Sequence, residues 1–228
     1  MIFEQLFDQK SSTYTYIIAS GEGREALIID PVIEHSDEYS TILKNLDLKL
    51  VKVIDTHIHA DHISALNELN KRTNCIRVMG EKSKSEVIDL RIKDGEKINV
   101  EEVELQAIYT PGHTDCSYSF LMNDRVFTGD TLLINGSGRT DFQNGNAYDA
   151  YDSIFNKLLK LPEKTLVFPA HDYNGKKFST IENEKNNNPR LQVSSKEEYA
   201  DIMNNLNLAN PKMMDVAVPA NVKGLTLD

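Results

Sequence analysis

The chain has 228 residues, with 25 Lys and Arg against 35 Asp and Glu and a formal charge of -10: long enough to bury a substantial core, and with no broad attraction to nucleic acid or an anionic membrane. An anionic substrate would need a local basic pocket. Two cysteines, Cys75 and Cys116, supply neither a disulfide framework nor a Cys-x-x-Cys motif, which suits a reducing compartment.

Residues 1–10 lack both a basic start and an apolar core, so no signal peptide or membrane span is expected there, and the expected location is the cytoplasm. β-Branched and aromatic residues at 13–20 and 26–30 predict two strands joined through Gly21-Glu22-Gly23, a hairpin that opens the fold. Asp30-Pro31 closes the second strand. Ser36 is expected to cap a helix whose apolar positions Tyr39, Ile42, Leu43 and Leu46 keep helical spacing. An apolar run at 48–54 then reads as a buried strand, and it ends at T-H-I-H-A-D-H, residues 56–62.

Beyond that loop, Ile63, Leu66 and Leu69 mark a helix and 76–79 a buried strand. Residues 80–94 are charged and carry no assignment, with Asp94-Gly95 a turn. Val103, Leu105, Ala107 and Tyr109 alternate as a half-buried strand that stops at T-P-G-H-T, residues 110–114. A second hairpin is expected from 117–121 and 125–128 around Asn123-Asp124, ending at Gly129-Asp130. Gly136, Gly138 and Gly145 make 135–146 a long loop, of the kind that is functional in a compact domain. Asn146 caps a helix carrying Tyr148, Tyr151, Ile154, Phe155 and Leu158 that Pro162 stops, and 165–168 is a strand followed by Pro169-Ala170-His171-Asp172. Past Tyr173 the chain turns polar and breaks at 186–189; Ser195-Lys196-Glu197-Glu198 resembles a capping box before a terminal helix, and the last residues read as an extended tail. The expectation is one domain over 1–228, with 190–228 a C-terminal helix and tail. Strands in two groups with helices between suggest two sheets face to face under outer helices, although an open α/β sheet fits the same alternation.

The histidines carry the functional reading. Of six in the chain, His57, His59 and His62 share one loop with Asp61, while His113 and His171 sit at turn signals after their own strands; only His35 stands apart. A lone histidine is satisfied by one hydrogen bond, but five at strand ends beside carboxylates are the ligand types that divalent metals take.

The ordered set T-H-I-H-A-D-H, T-P-G-H-T, T-G-D-T and P-A-H-D resembles the metallo-β-lactamase superfamily, which implies an αββα sandwich. Within it, L-I-N-G-S-G-R-T-D-F-Q (133–143), P-A-H-D-Y, N-P-R-L and V-P-A-N resemble the persulfide dioxygenases, whose relatives include the glyoxalase II hydrolases. The resemblance runs over nearly the whole chain. It implies oxidation of glutathione persulfide by O2 to sulfite with release of glutathione, at one Fe(II) per chain on His57, His113 and Asp130. Two histidines and one carboxylate form the facial set of non-haem Fe(II) oxygenases, which leaves open positions for exogenous ligands. In the dinuclear hydrolases the matching residues are His57, His59 and His113 for one metal, Asp61, His62 and His171 for a second, and Asp130 as bridge. All of these remain here, so lost ligands cannot explain a single metal. Some relatives carry Cys where this chain has Ser137, so no thiol role transfers.

In the dioxygenase reading His59, Asp61, His62 and His171 hold ligands and bound water by hydrogen bonds. Tyr173 would donate to a bound sulfur or oxygen, or else is a half-buried structural tyrosine. Arg139 would clamp a glutathione carboxylate, or else pairs with Asp141. Glu101, Glu102 and Glu104 read as a solvated strand face, and Met213 and Met214 as packing. The rival readings are a two-metal thiolester hydrolase and a non-catalytic metal sensor. A homodimer is carried as an expectation for which no residue argues.

Overall fold

The computed structural model describes residues 1–209 and 213–226. Residues 210–212 and 227–228 of the expected domain and tail lie outside the described residues.

Two six-stranded mixed sheets pack face to face. The first runs β1 (Ile2–Asp8), β2 (Thr13–Ala19), β3 (Glu25–Ile29), β4 (Lys49–Ile54), β5 (Ile76–Gly80), β6 (Leu90–Ile92) in spatial as in chain order. The second follows the order β12 (Ser179–Thr180), β11 (Leu166–Pro169), β10 (Arg125–Gly129), β9 (Tyr118–Met122), β8 (Val103–Tyr109), β7 (Lys97–Val100). The period of two along a strand divides each side-chain row between two layers. On β2, Tyr14, Tyr16 and Ile18 join the core between the sheets with Phe120, Phe127 and Phe168, while Ile17 and Ala19 face outward into a second core. That outer core is covered by α1 (Ser36–Asn45) and α2 (Leu66–Thr73), and by Val218 and Val222 of α6 (Met214–Lys223). The second sheet's outer face is covered by α3 (Ala147–Asn156) and α5 (Lys196–Asn204), with Ile154 and Tyr199 in the layer between. The result is the αββα sandwich; among the described residues no helix is long and apolar enough to cross a membrane.

Several expected elements change. The fold opens one strand earlier, because β1 pairs with β2 from Ile2↔Ala19 to Asp8↔Thr13, and Phe3 of β1 meets Tyr16 and Phe168. The unassigned charged stretch holds β6, parallel to β5, before the β7–β8 hairpin. Ser36 is not a cap: its hydroxyl donates to Ile33 O at 2.7 Å and the helix begins without a side-chain cap. Helix α2 starts at Leu66, so Ile63 belongs to the loop before it. α3 ends at Asn156, and Leu158 lies in a separate 3-10 turn before Pro162. The polar stretch contains α4 (Ile181–Asn187), which Thr180 caps by accepting from Asn183 N. Ser195 caps α5 as expected, but Glu198 reaches back to the N–H and hydroxyl of Ser194 rather than to Ser195. The expected tail contains α6, which carries Pro219 inside it and ends on Gly224 at φ 72°. A proline that breaks the helical hydrogen-bond ladder and a weak apolar stripe hid this helix from periodicity.

Candidate metal centre

Four strands finish at one edge of the sandwich, and candidate metal-ligating side chains follow each. β4 runs into the loop that holds His57, His59, Asp61 and His62; β8 is followed by His113, β10 by Asp130 and β11 by His171. The two sheets touch there through backbone: Tyr14 N–H donates to Ala170 O at 2.7 Å and Tyr118 N–H to Thr56 O at 2.9 Å. Gly129 makes the approach possible, since its φ is 53° and a Cβ there would lie 2.6 Å from Thr56 Oγ1.

His57, His113 and Asp130 bring ligand atoms within 4.8 Å of one another. The two rings cross at 87° with centroids 5.0 Å apart, and Asp130 Oδ2 stands 3.6 Å from His113 Nε2. Each member is aimed by a neighbour. His113 Nδ1 donates to Arg139 O at 2.8 Å, which leaves Nε2 with a bare lone pair. Thr56 donates its hydroxyl to Asp30 Oδ2 at 2.9 Å, and its oxygen accepts from His57 Nδ1 at 3.0 Å, so His57 too presents Nε2. Asp130 Oδ1 is held by His171 Nδ1 at 2.6 Å.

On the protein's own charges His57 and Asp130 take the forms a metal ion accepts. His57 falls well below its ordinary value, first because burial disfavours an imidazolium and then because His59 and His113 stand beside it. Burial opposes the Asp130 carboxylate, but His171, His113 and His57 outweigh it and hold the group well below the usual carboxylate range.

His59, Asp61 and His62 make a second cluster within 4.8 Å. His59 Nε2 lies 3.1 Å from Asp30 Oδ1, and His62 Nδ1 lies 3.0 Å from Asp61 Oδ2. Their other nitrogens, His59 Nδ1 and His62 Nε2, are buried without a hydrogen-bond partner among the described residues. His171 differs, because its Nε2 is 2.8 Å from Asp61 Oδ2 while its Nδ1 is on Asp130. Burial works against a charged His171, but the two carboxylates raise it well above its ordinary value. Neutral imidazole at His57 and His62, ionised carboxylate and a buried His62 nitrogen that no protein donor satisfies fit a divalent metal ion; burial opposes an imidazolium at His59, but Asp30, Asp55 and Asp61 outweigh it and raise it to about 9.

All seven expected metal-region residues therefore meet at one edge. Tyr173 does not match the half-buried alternative: it is 72% exposed, with its ring parallel to that of His171 at 6.2 Å. The Arg139 guanidinium forks onto Asp141 with two bonds of 2.7 Å, donates to Ala209 O at 2.6 Å and covers the Phe142 ring at 4.3 Å. Its backbone, rather than its charge, faces His113.

Sequence reasoning missed four supports. Asp30 was legible only as the end of a strand, yet it accepts from Thr56 N at 2.7 Å besides serving the Thr56 hydroxyl and His59. Thr56 opens the histidine motif but was given no role of its own. Thr13 places its hydroxyl 3.0 Å from His171 Nε2 and 3.2 Å from Asp61 Oδ2. Asn221 donates to His59 O and His62 O, both at 2.9 Å. The N-P-R-L segment braces the glycine loop: Asn188 donates to Gly136 O at 2.9 Å and Arg190 to Ser137 O.

The metallo-beta-lactamase superfamily model matches residues 9–89 and 80–171. The persulfide dioxygenase ETHE1, mitochondrial, of Mus musculus is 43% identical over 226 residues, covering 98% of this chain and 88% of that protein. The crystal structure of ETHE1 from Myxococcus xanthus superposes with a TM-score of 0.95 at 49% identity, covering 97% of this chain and 98% of that one. The hydroxyacylglutathione hydrolase of Dictyostelium discoideum is 29% identical over 185 residues, covering 76% of this chain and 68% of that protein. With the four strand-end ligand groups and the sandwich in place, the chain belongs to the metallo-β-lactamase superfamily and, within it, to the persulfide dioxygenases, an oxidoreductase family.

Proposed function

We propose that the chain oxidises glutathione persulfide with O2 and water to sulfite and glutathione, at one ferrous ion that His57, His113 and Asp130 would hold. The observation that supports a single ion is the position of His171. Both of its nitrogens are spent on carboxylates, 2.6 Å from Asp130 and 2.8 Å from Asp61, so it keeps no lone pair for a second metal. When bound, a ferrous ion supplies the electron transfer between sulfur and O2 that no side chain here can carry.

The protein's own share is orientation. Thr56 and Asp30 fix the ring of His57, Arg139 O fixes His113, and His171 fixes the carboxylate of Asp130. Asp61 holds His171 and His62 in turn. Tyr173, exposed beside His171, would donate its phenol hydrogen to the substrate's sulfur or to an oxygen. Arg139 would meet a glutathione carboxylate by exchanging it for Asp141. In this reading the whole chain acts as one domain in the cytoplasm, although the mouse relative is named mitochondrial. A homodimer is the proposed assembly, to be read from the mass in solution.

A second reading rests on the bare nitrogens of His59 and His62, which with Asp61 would take a second cation and turn the site toward thiolester hydrolysis. Elemental analysis of anaerobically purified protein, joined to oxygen uptake with glutathione persulfide, separates the two. One iron per chain and uptake with the persulfide but not with glutathione are expected. Two zinc ions with hydrolysis of S-lactoylglutathione and no oxygen uptake would establish the hydrolase.

A further inference from the structure

A loop that curls so that three imidazoles face inward turns backbone carbonyls the other way, and buried carbonyls need donors. Residues 55–63 form no regular ladder: the backbone N–H groups of Tyr118 and Ile33 reach Thr56 O and Ile63 O, and the carbonyls of Ile58, His59 and His62 are met by side chains. Asn221 meets the last two from α6. Its Nδ2 gives both hydrogens to the loop, to His59 O and His62 O at 2.9 Å each, and its Oδ1 accepts from Ser64 N at 2.8 Å. One side chain therefore grips the loop at its second histidine, its third histidine and its exit.

The grip is only as firm as the helix behind it, and that helix is fastened independently. Ser85 donates its hydroxyl to Asn221 O at 3.1 Å, Glu86 N–H to Val222 O at 2.8 Å, and Asn67 Nδ2 to Gly224 O at 2.6 Å. Ala217 and Ala220 are buried, so the helix cannot roll without opening its own packing.

We propose that Asn221 is a positioning residue of the metal centre, and that α6 is part of the site's machinery as well as cover for the first sheet. The inference rests on the metal site of the proposed function but not on its substrate.

Asn221→Ala removes all three bonds, and Asn221→Asp keeps the acceptor for Ser64 while setting carboxylate oxygen against two carbonyls. Ser85→Ala is the control, because it removes one of the three fastenings of the helix and leaves the other two, and all three Asn221 bonds to the loop, in place. Full-length proteins are loaded with Fe(II), release is timed against a chromogenic chelator without oxygen, and amide exchange is followed over residues 57–64. Both Asn221 variants should release iron about ten- to a hundred-fold faster than wild type, the usual cost of losing a group that orients a ligand. They should exchange the loop amides faster and lower kcat with KM unchanged, while Ser85→Ala does neither. Wild-type release from Asn221→Ala, equal acceleration by Ser85→Ala, or failure of both Asn221 variants to fold would each overturn the proposal. If the chain instead carries zinc, the release rate of zinc reads the same grip, so an error in the proposed function and an error here give different results.

Discussion

From the first sheet the candidate metal centre draws on one loop, residues 56–62; from the second it draws on His113, Asp130 and His171 singly, from the ends of β8, β10 and β11. The loop half has no ladder of its own and is shaped by side chains from elsewhere: Asp30 and Thr13 from the hairpin, Asn221 from α6. In the gathered half the strands themselves fix the spacing, and the added supports are backbone groups such as Arg139 O on His113 and Gly138 N on Asp130 O. A contiguous motif is thus easy to read and costly to hold, whereas a scattered one is hard to read and held by the fold.

The sharpest way to break this contrast is to remove one ligand from each half. His57→Ala, His113→Ala and Asp130→Ala should each empty the site and abolish oxygen uptake, with iron per chain as the measurement. Iron retained in His113→Ala would mean that the loop half suffices alone. His171→Ala and His62→Ala should keep measurable iron while turnover falls about ten- to a hundred-fold, because ligand bonds survive with poorer orientation. Loss of iron from His171→Ala with iron kept by Asp130→Ala would exchange their roles.

Gly138→Ala tests the backbone support of the gathered half. A Cβ there would stand 2.1 Å from Asp130 O and 2.9 Å from the His113 ring, so the loop must shift. A loss of about 1–3 kcal/mol in denaturant titration is expected, typical of overpacking, together with weaker iron binding. Arg139→Ala should raise KM about tenfold and lower kcat less, the signature of one charge-assisted contact made equally before and during reaction. An unchanged KM would leave Arg139 as the partner of Asp141 alone.

The smallest effect is expected behind the Thr13 support, where Ser11 Oγ stands 2.7 Å from Thr13 Oγ1 and donates to Asp8 Oδ2 at 2.6 Å, at the one histidine outside the cluster. Partial burial opposes the Asp8 carboxylate, but hydrogen bonds from Ser11 and His35 outweigh it and lower it from 3.8 to about 2. This contributes stability that is present above pH 3.8 and lost as pH falls toward 2. Burial likewise opposes the His35 imidazolium, and Asp8 and Glu38 outweigh it and raise it above 6.5. That part is fully present below pH 6.5 and lost as pH rises through the raised value. Asp8→Asn should flatten both limbs of the stability profile while leaving the iron content alone.

The parts of the molecule that announced themselves were those whose signal is local. The histidine loop, the Asn146 cap and the β9–β10 hairpin are each written within about a dozen residues, as periodicity and capping require. β1 was hidden by Glu4 and Asp8, which interrupt its apolar face at an edge of the sheet. Asp30 looked like the close of a strand because nothing nearby says that its carboxylate meets Thr56, 26 residues on. Asn221 stood in the V-P-A-N motif, but its role was hidden for the same reason at longer range, and Arg139 drew attention by its charge while its carbonyl was the group that meets His113.

The distance between loop and clasp also sets an order of events. His59 precedes Asn221 by 162 residues, so on a ribosome the histidines emerge long before the amide that curves their loop. A cation met by the half-made chain finds imidazoles in the right sequence but not at the right angles. If Asn221 shapes the loop as proposed, the centre takes its final form only after α6 has left the ribosome, and not at the appearance of the first histidine.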